Sequence, residues 1–123
     1  MQDTITRSQT DSQSAGNPYA RRGETQLVFF DGLVAADERI ANGDVGEQTL
    51  AALERLQVIA ADQGVDPADL MRTTVYLTQI GEVAAVDDAF EAFFDEERPS
   101  RTVVGVDALP NGAAVQIEAT GVE

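Results

Sequence analysis

Hydrophobic and polar residues alternate along the chain with two periods, which predict helices and strands respectively. Apolar residues recur at helical spacing over residues 45–63 and again over residues 82–95, so both stretches are predicted to be amphipathic helices. Their predicted buried stripes are Leu50, Leu53, Leu56, Ile59 and Ala60 in the first helix, and Val83, Val86, Phe90 and Phe93 in the second. Runs rich in β-branched and aromatic residues predict strands at residues 4–8, 26–30, 72–77, 101–106 and 114–122.

Local signals predict how several of these elements end. Gly64 stands where a left-handed residue closes the first helix, and Asp66-Pro67 is typical of the start of a short helical turn. The Asp31-Gly32 pair indicates a turn or bulge after the strand at 26–30. The Asn111-Gly112 pair before the last strand is typical of a hairpin.

The order of these elements predicts an α+β fold in which two helices cover one face of a single mixed sheet. Residues 1–15 form a polar N-terminal segment, partly a short strand, and residues 16–123 form one domain without repeats or linkers. The strand at 26–30 carries apolar residues on both faces, so the second face needs cover. Another subunit is the simplest cover, and the alternative is a monomer whose loops fold over this face.

The net charge of the chain limits the environments and the binding partners that suit the protein. The chain has 22 acidic and 8 basic residues, a net charge of −14, and every basic residue is Arg. Molar salt shortens the Debye length to about 3 Å and removes most of the repulsion between the negative charges. The composition therefore indicates a protein from a salt-loving microbe. The alternative is an ordinary acidic protein. A net charge of this sign argues against binding nucleic acid.

The sequence also contains no signal for a membrane or for secretion. No apolar run approaches the roughly 20 residues of a membrane helix. The first 17 residues lack the apolar core of a signal peptide. We therefore expect a cytoplasmic protein without a membrane partner.

Three absent residue types limit the chemistry. Without His or Cys there is no imidazole base, no thiolate nucleophile and no ordinary zinc site, and without Lys there is no Schiff base. We expect neither a metal nor a cofactor, and any catalysis must use Arg, carboxylates, hydroxyls, backbone groups and water.

A set of motifs resembles the Rid family (reactive intermediate deaminases, YjgF-like) from about residue 17 to residue 122. The most specific is Pro99-Ser100-Arg101-Thr102 followed by Leu109-Pro110. Further matches are Gln48, Leu53, Gly64, the strand at 73–77, the run at 90–94 and the closing residues 117–119. The resemblance implies a homotrimer with a central barrel and ligand clefts between subunits. It also implies cofactor-free hydrolysis of enamines and imines, such as 2-aminoacrylate, to a keto acid and ammonia.

The resemblance assigns roles to individual residues. Arg101 matches the Arg that binds the substrate carboxylate, and its planar fork suits that task better than Lys. Tyr19 resembles a tyrosine near the cleft, although Asn17 here separates Gly16 from Pro18. Gly32 matches a glycine whose backbone approaches the ligand.

Three site positions depart from the family pattern. Asp31 stands where many members have Ser, and Asp87, at a substrate-binding position, stands where many have Asn. Gln116 replaces the Glu that handles the proton of the attacking water. Asp31 is a substitute base, or it pairs with Arg101 and competes with the substrate, or it is a hydrated carboxylate at the end of its strand. Two functions therefore stay open, an imine deaminase and a non-catalytic trimeric binding protein for small carboxylates. A ribonuclease is disfavoured by the charge and the missing His.

Overall fold

The computed structural model describes residues 19–22, 26–94 and 99–123. The strands are β1 (Ala20–Arg22), β2 (Leu27–Leu33), β3 (Leu70–Leu77), β4 (Ser100–Gly105) and β5 (Val115–Val122). The α-helices are α1 (Asp37–Asn42), α2 (Val45–Asp62) and α3 (Val83–Phe94), and short 3₁₀ turns lie at Pro67–Asp69, Ile80–Glu82 and Pro110–Gly112. The strands form one sheet in the order β1-β2-β5-β3-β4, in which only the β3–β4 pair is parallel. The predicted single mixed sheet with two main helices is confirmed, and the predicted strand at 4–8 lies outside the described residues.

Helix α2 begins and ends where the sequence predicts. The Asp44 side chain accepts a hydrogen bond from the Glu47 backbone N–H at 2.8 Å, and the Glu47 side chain accepts one from the Asp44 N–H at 3.0 Å. This capping box satisfies donors that the first turn leaves free. Gly64, at φ +75°, follows the last turn in the left-handed conformation that glycine adopts most readily.

The predicted buried stripe of α3 is partly wrong. Val86 and Phe90 are fully buried as expected, but Phe94 is buried where Phe93 was predicted, and Val83 is 37% exposed. The buried residues follow a spacing of four, which carries the stripe to Phe94 and turns Val83 away from the core.

Two short elements were not predicted. Helix α1 has six residues and β1 has three, too few for a hydrophobic period to emerge. The Asp31-Gly32 signal is confirmed as a bulge: β2 continues to Leu33, and its register with β5 shifts between Phe30 and Leu33. Gly32 takes φ +72° at this point.

The predicted hairpin at Asn111-Gly112 is wrong. Both residues have positive φ, +61° and +73°, but β4 and β5 are not neighbours, because β3 lies between them. The turn residues dictate the local backbone, whereas the partner of each strand is chosen by long-range packing.

The two faces of the sheet have different surroundings. Side chains from the sheet pack against α2 and α3 in one core, which includes Val28, Phe30, Val75, Leu77, Leu53, Leu56, Val86, Phe90 and Ile117. The opposite face is only half-buried or exposed, and we call it the open face. It carries Leu27, Phe29, Thr74, Tyr76, Gln116 and Glu118.

Candidate functional site

Arg101 lies on edge strand β4 and faces the helix layer. Its guanidinium carbon is 5.1 Å from the centre of the Phe90 ring, and its Nη2 forms an ion pair with Oδ1 of Asp87 on α3. The Arg101 side chain is 26% exposed and that of Asp87 is 49% exposed, so solvent reaches the pair. The structure therefore brings together two of the predicted site residues.

The Arg101 guanidinium is incompletely satisfied. Its Nε is buried and has no hydrogen-bond partner among the described residues. Buried donors in native proteins are almost always paired, so this Nε is an exception that a water molecule or a group from outside the described residues would explain.

Tyr19, Asp31 and Gly32 form a second group at the other end of the sheet. The Asp31 backbone N–H donates to the Tyr19 carbonyl at 3.0 Å, and the Tyr19 ring lies 3.7 Å from where a side chain on Gly32 would begin. The Arg55 guanidinium lies 5.2 Å from the centre of the Tyr19 ring, and its Nη1 donates to the Val34 carbonyl at 2.6 Å. These contacts hold Tyr19 beside the bulge of β2.

A cleft of about 450 Å³ on the open face contains further polar groups. Its lining includes Asp31 together with Phe29, Arg72, Thr74, Glu118 and Thr120. The Tyr76 hydroxyl donates a hydrogen bond to Glu118 Oε1 at 2.9 Å. This hydrogen bond raises the pKa of Tyr76, and burial and the charges of Glu118 and Asp31 add to the effect. Gln116 lies opposite Tyr76 in the β3–β5 register, so it belongs to the same face.

Sequence reasoning did not single out Arg72, Tyr76 or Glu118 as site residues. The period-two alternation of a strand places Thr74 and Tyr76 on one face of β3, and Gln116 and Glu118 on one face of β5. The alternation does not predict that β3 pairs with β5, and it is this pairing that brings the side chains of the two strands together.

The structure does not bring Arg101 and Asp31 together within one chain. Strands β5 and β3 lie between β2 and β4, so the two residues are three strand spacings apart, on the order of 14 Å. They also lie on opposite faces, because Arg101 packs over Phe90 while Asp31 lines the open-face cleft. Within the chain, Arg101 pairs with Asp87 and not with Asp31.

The described part of the chain contains neither a cluster of metal ligands nor a helix that could span a membrane. No three His, Cys, Asp or Glu side chains in residues 19–22, 26–94 and 99–123 converge on a point that would hold a metal ion. None of the helices in that part of the chain is long and apolar enough to cross a membrane.

The fold and the residues above define a class of small α+β proteins with one mixed sheet backed by helices. The family model described as Endoribonuclease L-PSP matches residues 10–123, so the chain belongs to this family, and its resemblance to Rid proteins is confirmed. It is 34% identical over 116 residues to a RutC family protein of Sinorhizobium fredii, covering 91% of this chain and 92% of the relative. It is 29% identical over 120 residues to the mouse 2-iminobutanoate/2-iminopropanoate deaminase, covering 94% and 89%.

Solved structures agree with this assignment. A member of the YjgF/YER057c/UK114 family from Mycobacterium tuberculosis superimposes with a TM-score of 0.77 at 30% identity, over 89% of each chain. The Escherichia coli protein TdcF, crystallised with bound serine, superimposes with a TM-score of 0.73 at 26% identity, over 85% of this chain and 86% of that one.

Proposed function

We propose that the protein hydrolyses the C=N bond of small 2-imino acids, or of the enamines that tautomerise to them, to a keto acid and ammonia. The observation that carries the proposal is Arg101: its side chain is 26% exposed beside Asp87, and its position resembles that of the carboxylate-binding Arg of the family. A planar fork of N–H donors matches a carboxylate in both geometry and charge.

The reaction needs little from the protein beyond positioning. The carbon of a protonated imine is already electrophilic, so no cofactor has to activate it. A water oxygen forms a bond to this carbon while the C=N π electrons move to nitrogen. The proton taken from the water then moves to the nitrogen of the carbinolamine, and the C–N bond breaks to release ammonia as the hydroxyl proton leaves and the C=O bond forms. The protein holds the carboxylate, orients the water and accepts its proton.

The proposed site is completed between subunits of a homotrimer. Within one chain Arg101 and Asp31 are on opposite faces, so a cleft that uses both must combine two chains. The open face supports such an assembly, because Leu27 is 38% exposed and Phe29 is 44% exposed there. When a second chain covers apolar groups that are exposed on a sheet face, the free energy falls, which favours the assembly.

We assign the role of proton acceptor to Asp31. The side chain of Gln116 is an amide, which can hold a water molecule by hydrogen bonds but cannot take its proton. Asp31 lines the open-face cleft, and so does Glu118, which is already engaged by Tyr76. Within residues 19–22, 26–94 and 99–123 the Asp31 carboxylate has no hydrogen-bond partner, so it is the better base of the two.

Ammonia release from freshly generated 2-aminoacrylate, at high salt, tests the proposal. Arg101→Lys should raise KM about 10- to 100-fold, which is the loss of affinity expected when a charge-assisted hydrogen bond to the substrate carboxylate is removed. Arg22→Lys is the matched control, since Arg22 also pairs with a carboxylate, that of Glu123, outside the proposed site. Equal KM values for the two variants would remove Arg101 from the site.

A second candidate function is a non-catalytic trimeric binding protein for small carboxylates. The observation that favours it is Gln116, an amide at the position where the resemblance to the Rid family implies a carboxylate. Binding of keto acids that depends on Arg101, without any ammonia release, would establish this alternative. RNA cleavage is not part of either proposal, because the chain has a net charge of −14 and no His.

A further inference from the structure

Asp87 changes the charge of the carboxylate-binding group. Its Oδ1 is ion-paired with Nη2 of Arg101, so the positive charge of the guanidinium is matched by a negative one in direct contact. A ligand that carries only a carboxylate would meet this second carboxylate at the same guanidinium. Like charges at contact distance repel, and the repulsion is larger where the groups are partly removed from water, as Arg101 is.

A ligand with both a carboxylate and a cationic nitrogen meets a different situation. Arg101 still has donor capacity, because a guanidinium carries five N–H groups, the ion pair with Asp87 uses Nη2, and 26% of the side chain is exposed. Asp87 still has acceptor capacity, because a carboxylate has two oxygens and its side chain is 49% exposed. The pair therefore presents a donor edge and an acceptor edge side by side, which is complementary to an α-carboxylate next to an N⁺–H group.

We propose that Asp87 is a specificity-determining residue that selects zwitterionic ligands, with the ligand carboxylate on Arg101 and its cationic nitrogen donating to Asp87. The ligand class is that of small 2-iminio and 2-amino acids. The inference rests on the role that the proposed function gives to Arg101 in binding a carboxylate, and its reaction side rests also on the proposed hydrolysis.

The selection has a consequence for turnover. Hydrolysis replaces the cationic nitrogen by a carbonyl oxygen, which has no N–H to donate and carries no positive charge. In the keto acid product the carbonyl oxygen faces the Asp87 carboxylate, so two hydrogen-bond acceptors meet. The negative charge of the product's own carboxylate is also no longer balanced by a positive charge on the same ligand. Asp87 thus favours the substrate over the product at the same guanidinium and limits product inhibition.

Calorimetric binding to the full chain at high salt tests the selectivity, with L-alanine as the zwitterionic probe and pyruvate as the probe without a cationic nitrogen. The parent protein should prefer L-alanine. Asp87→Asn, which removes the charge and keeps the shape, should shift the ratio of the two affinities at least tenfold toward pyruvate. Asp87→Glu, which keeps the charge, should retain the parent preference.

Asp88→Asn is the matched control, because Asp88 is the next residue of α3 and lines a different groove, against α2. It removes the same charge from the chain and should leave the ratio unchanged. An unchanged ratio in Asp87→Asn, an equal shift in Asp88→Asn, or a parent protein that binds neither probe would each overturn the inference. Ammonia release from 2-aminoacrylate is measured separately, so a failure of selectivity is distinguishable from a failure of the deaminase reaction.

Discussion

Tyr76 and Glu118 are joined across two neighbouring strands by a hydrogen bond of 2.9 Å from the phenol to the carboxylate. The residue directly opposite Glu118 is Thr74, so the Tyr76 side chain reaches diagonally across the open face to make this bond. The bond holds Glu118 in place, and it occupies one carboxylate oxygen of the cleft that also contains Asp31.

The first prediction concerns this pair. The hydrogen bond to Glu118 raises the pKa of Tyr76 above its ordinary value of 10.0, so the phenol stays protonated into more alkaline solution. In a Tyr19→Phe background, Tyr76 is the one remaining tyrosine and the chain has no Trp, so the ultraviolet phenolate band reports it alone. Glu118→Gln should move the midpoint of this titration down, and a midpoint that stays in place would contradict the hydrogen bond as the cause.

The same pair predicts a loss of stability at high pH. Because the pKa of Tyr76 is raised in the folded state, the folded protein binds this proton more tightly than the unfolded chain does. The stabilisation is complete below the unfolded value of about 10 and disappears as the pH rises through the folded-state pKa. Chemical denaturation at increasing pH should show this decline in the parent and a flatter profile in Tyr76→Phe.

The third prediction concerns the proton acceptor. Asp31→Asn should lower kcat for 2-aminoacrylate by about 10²- to 10⁴-fold, the usual contribution of a general base. Gln116→Glu should raise it, because the new carboxylate would restore an acceptor. Asp62→Asn, an exposed carboxylate at the end of α2, is the control for the change in net charge. If Glu118→Gln lowers kcat while Asp31→Asn does not, Glu118 is the base instead.

Assembly through the open face gives the fourth prediction. Phe29→Asp should convert the proposed homotrimer to monomers in light scattering at high KCl, because it places a charge in the proposed interface. Val58→Asp on α2 is a stringent control, since Val58 is 66% exposed against 44% for Phe29, yet lies on the helix side. Exposure alone would rank Val58 as the better candidate for an interface. A trimer that survives Phe29→Asp, or a parent protein of 13.1 kDa in solution, would contradict the proposed architecture.

Salt should stabilise the protein, which is the fifth prediction. A net charge of −14 repels itself in dilute buffer, and molar salt screens that repulsion. The midpoint of thermal unfolding should therefore rise from dilute buffer to molar KCl, by about 4 °C for each kcal/mol gained. A flat or falling midpoint would favour an ordinary acidic protein over one adapted to high salt.

The local features of the fold were predictable from the sequence, because each depends on residues that are close along the chain. Helix α2 could be read from its apolar spacing and from Gly64, and the bulge in β2 from Asp31-Gly32. The alternation within each strand predicted which side chains share a face, including Thr74 with Tyr76 on β3. The motif around Arg101 identified the family, since a motif is a property of the sequence alone.

The pairing of these elements was decided only by the tertiary structure. The order β2-β5-β3-β4 brings Glu118 to Tyr76 and separates Asp31 from Arg101, and neither relation follows from a period of two or of 3.6. The same reason explains why Asn111-Gly112 forms a turn and not a hairpin. The positive φ angles of these two residues are a local property. The strand that pairs with β5 is instead determined by burial of the whole sheet against α2 and α3. Alternation specifies the direction of a side chain relative to its own strand. Its neighbour across the sheet is set by contacts between segments far apart along the chain, such as Leu27 of β2 and Val122 of β5, which lie opposite each other.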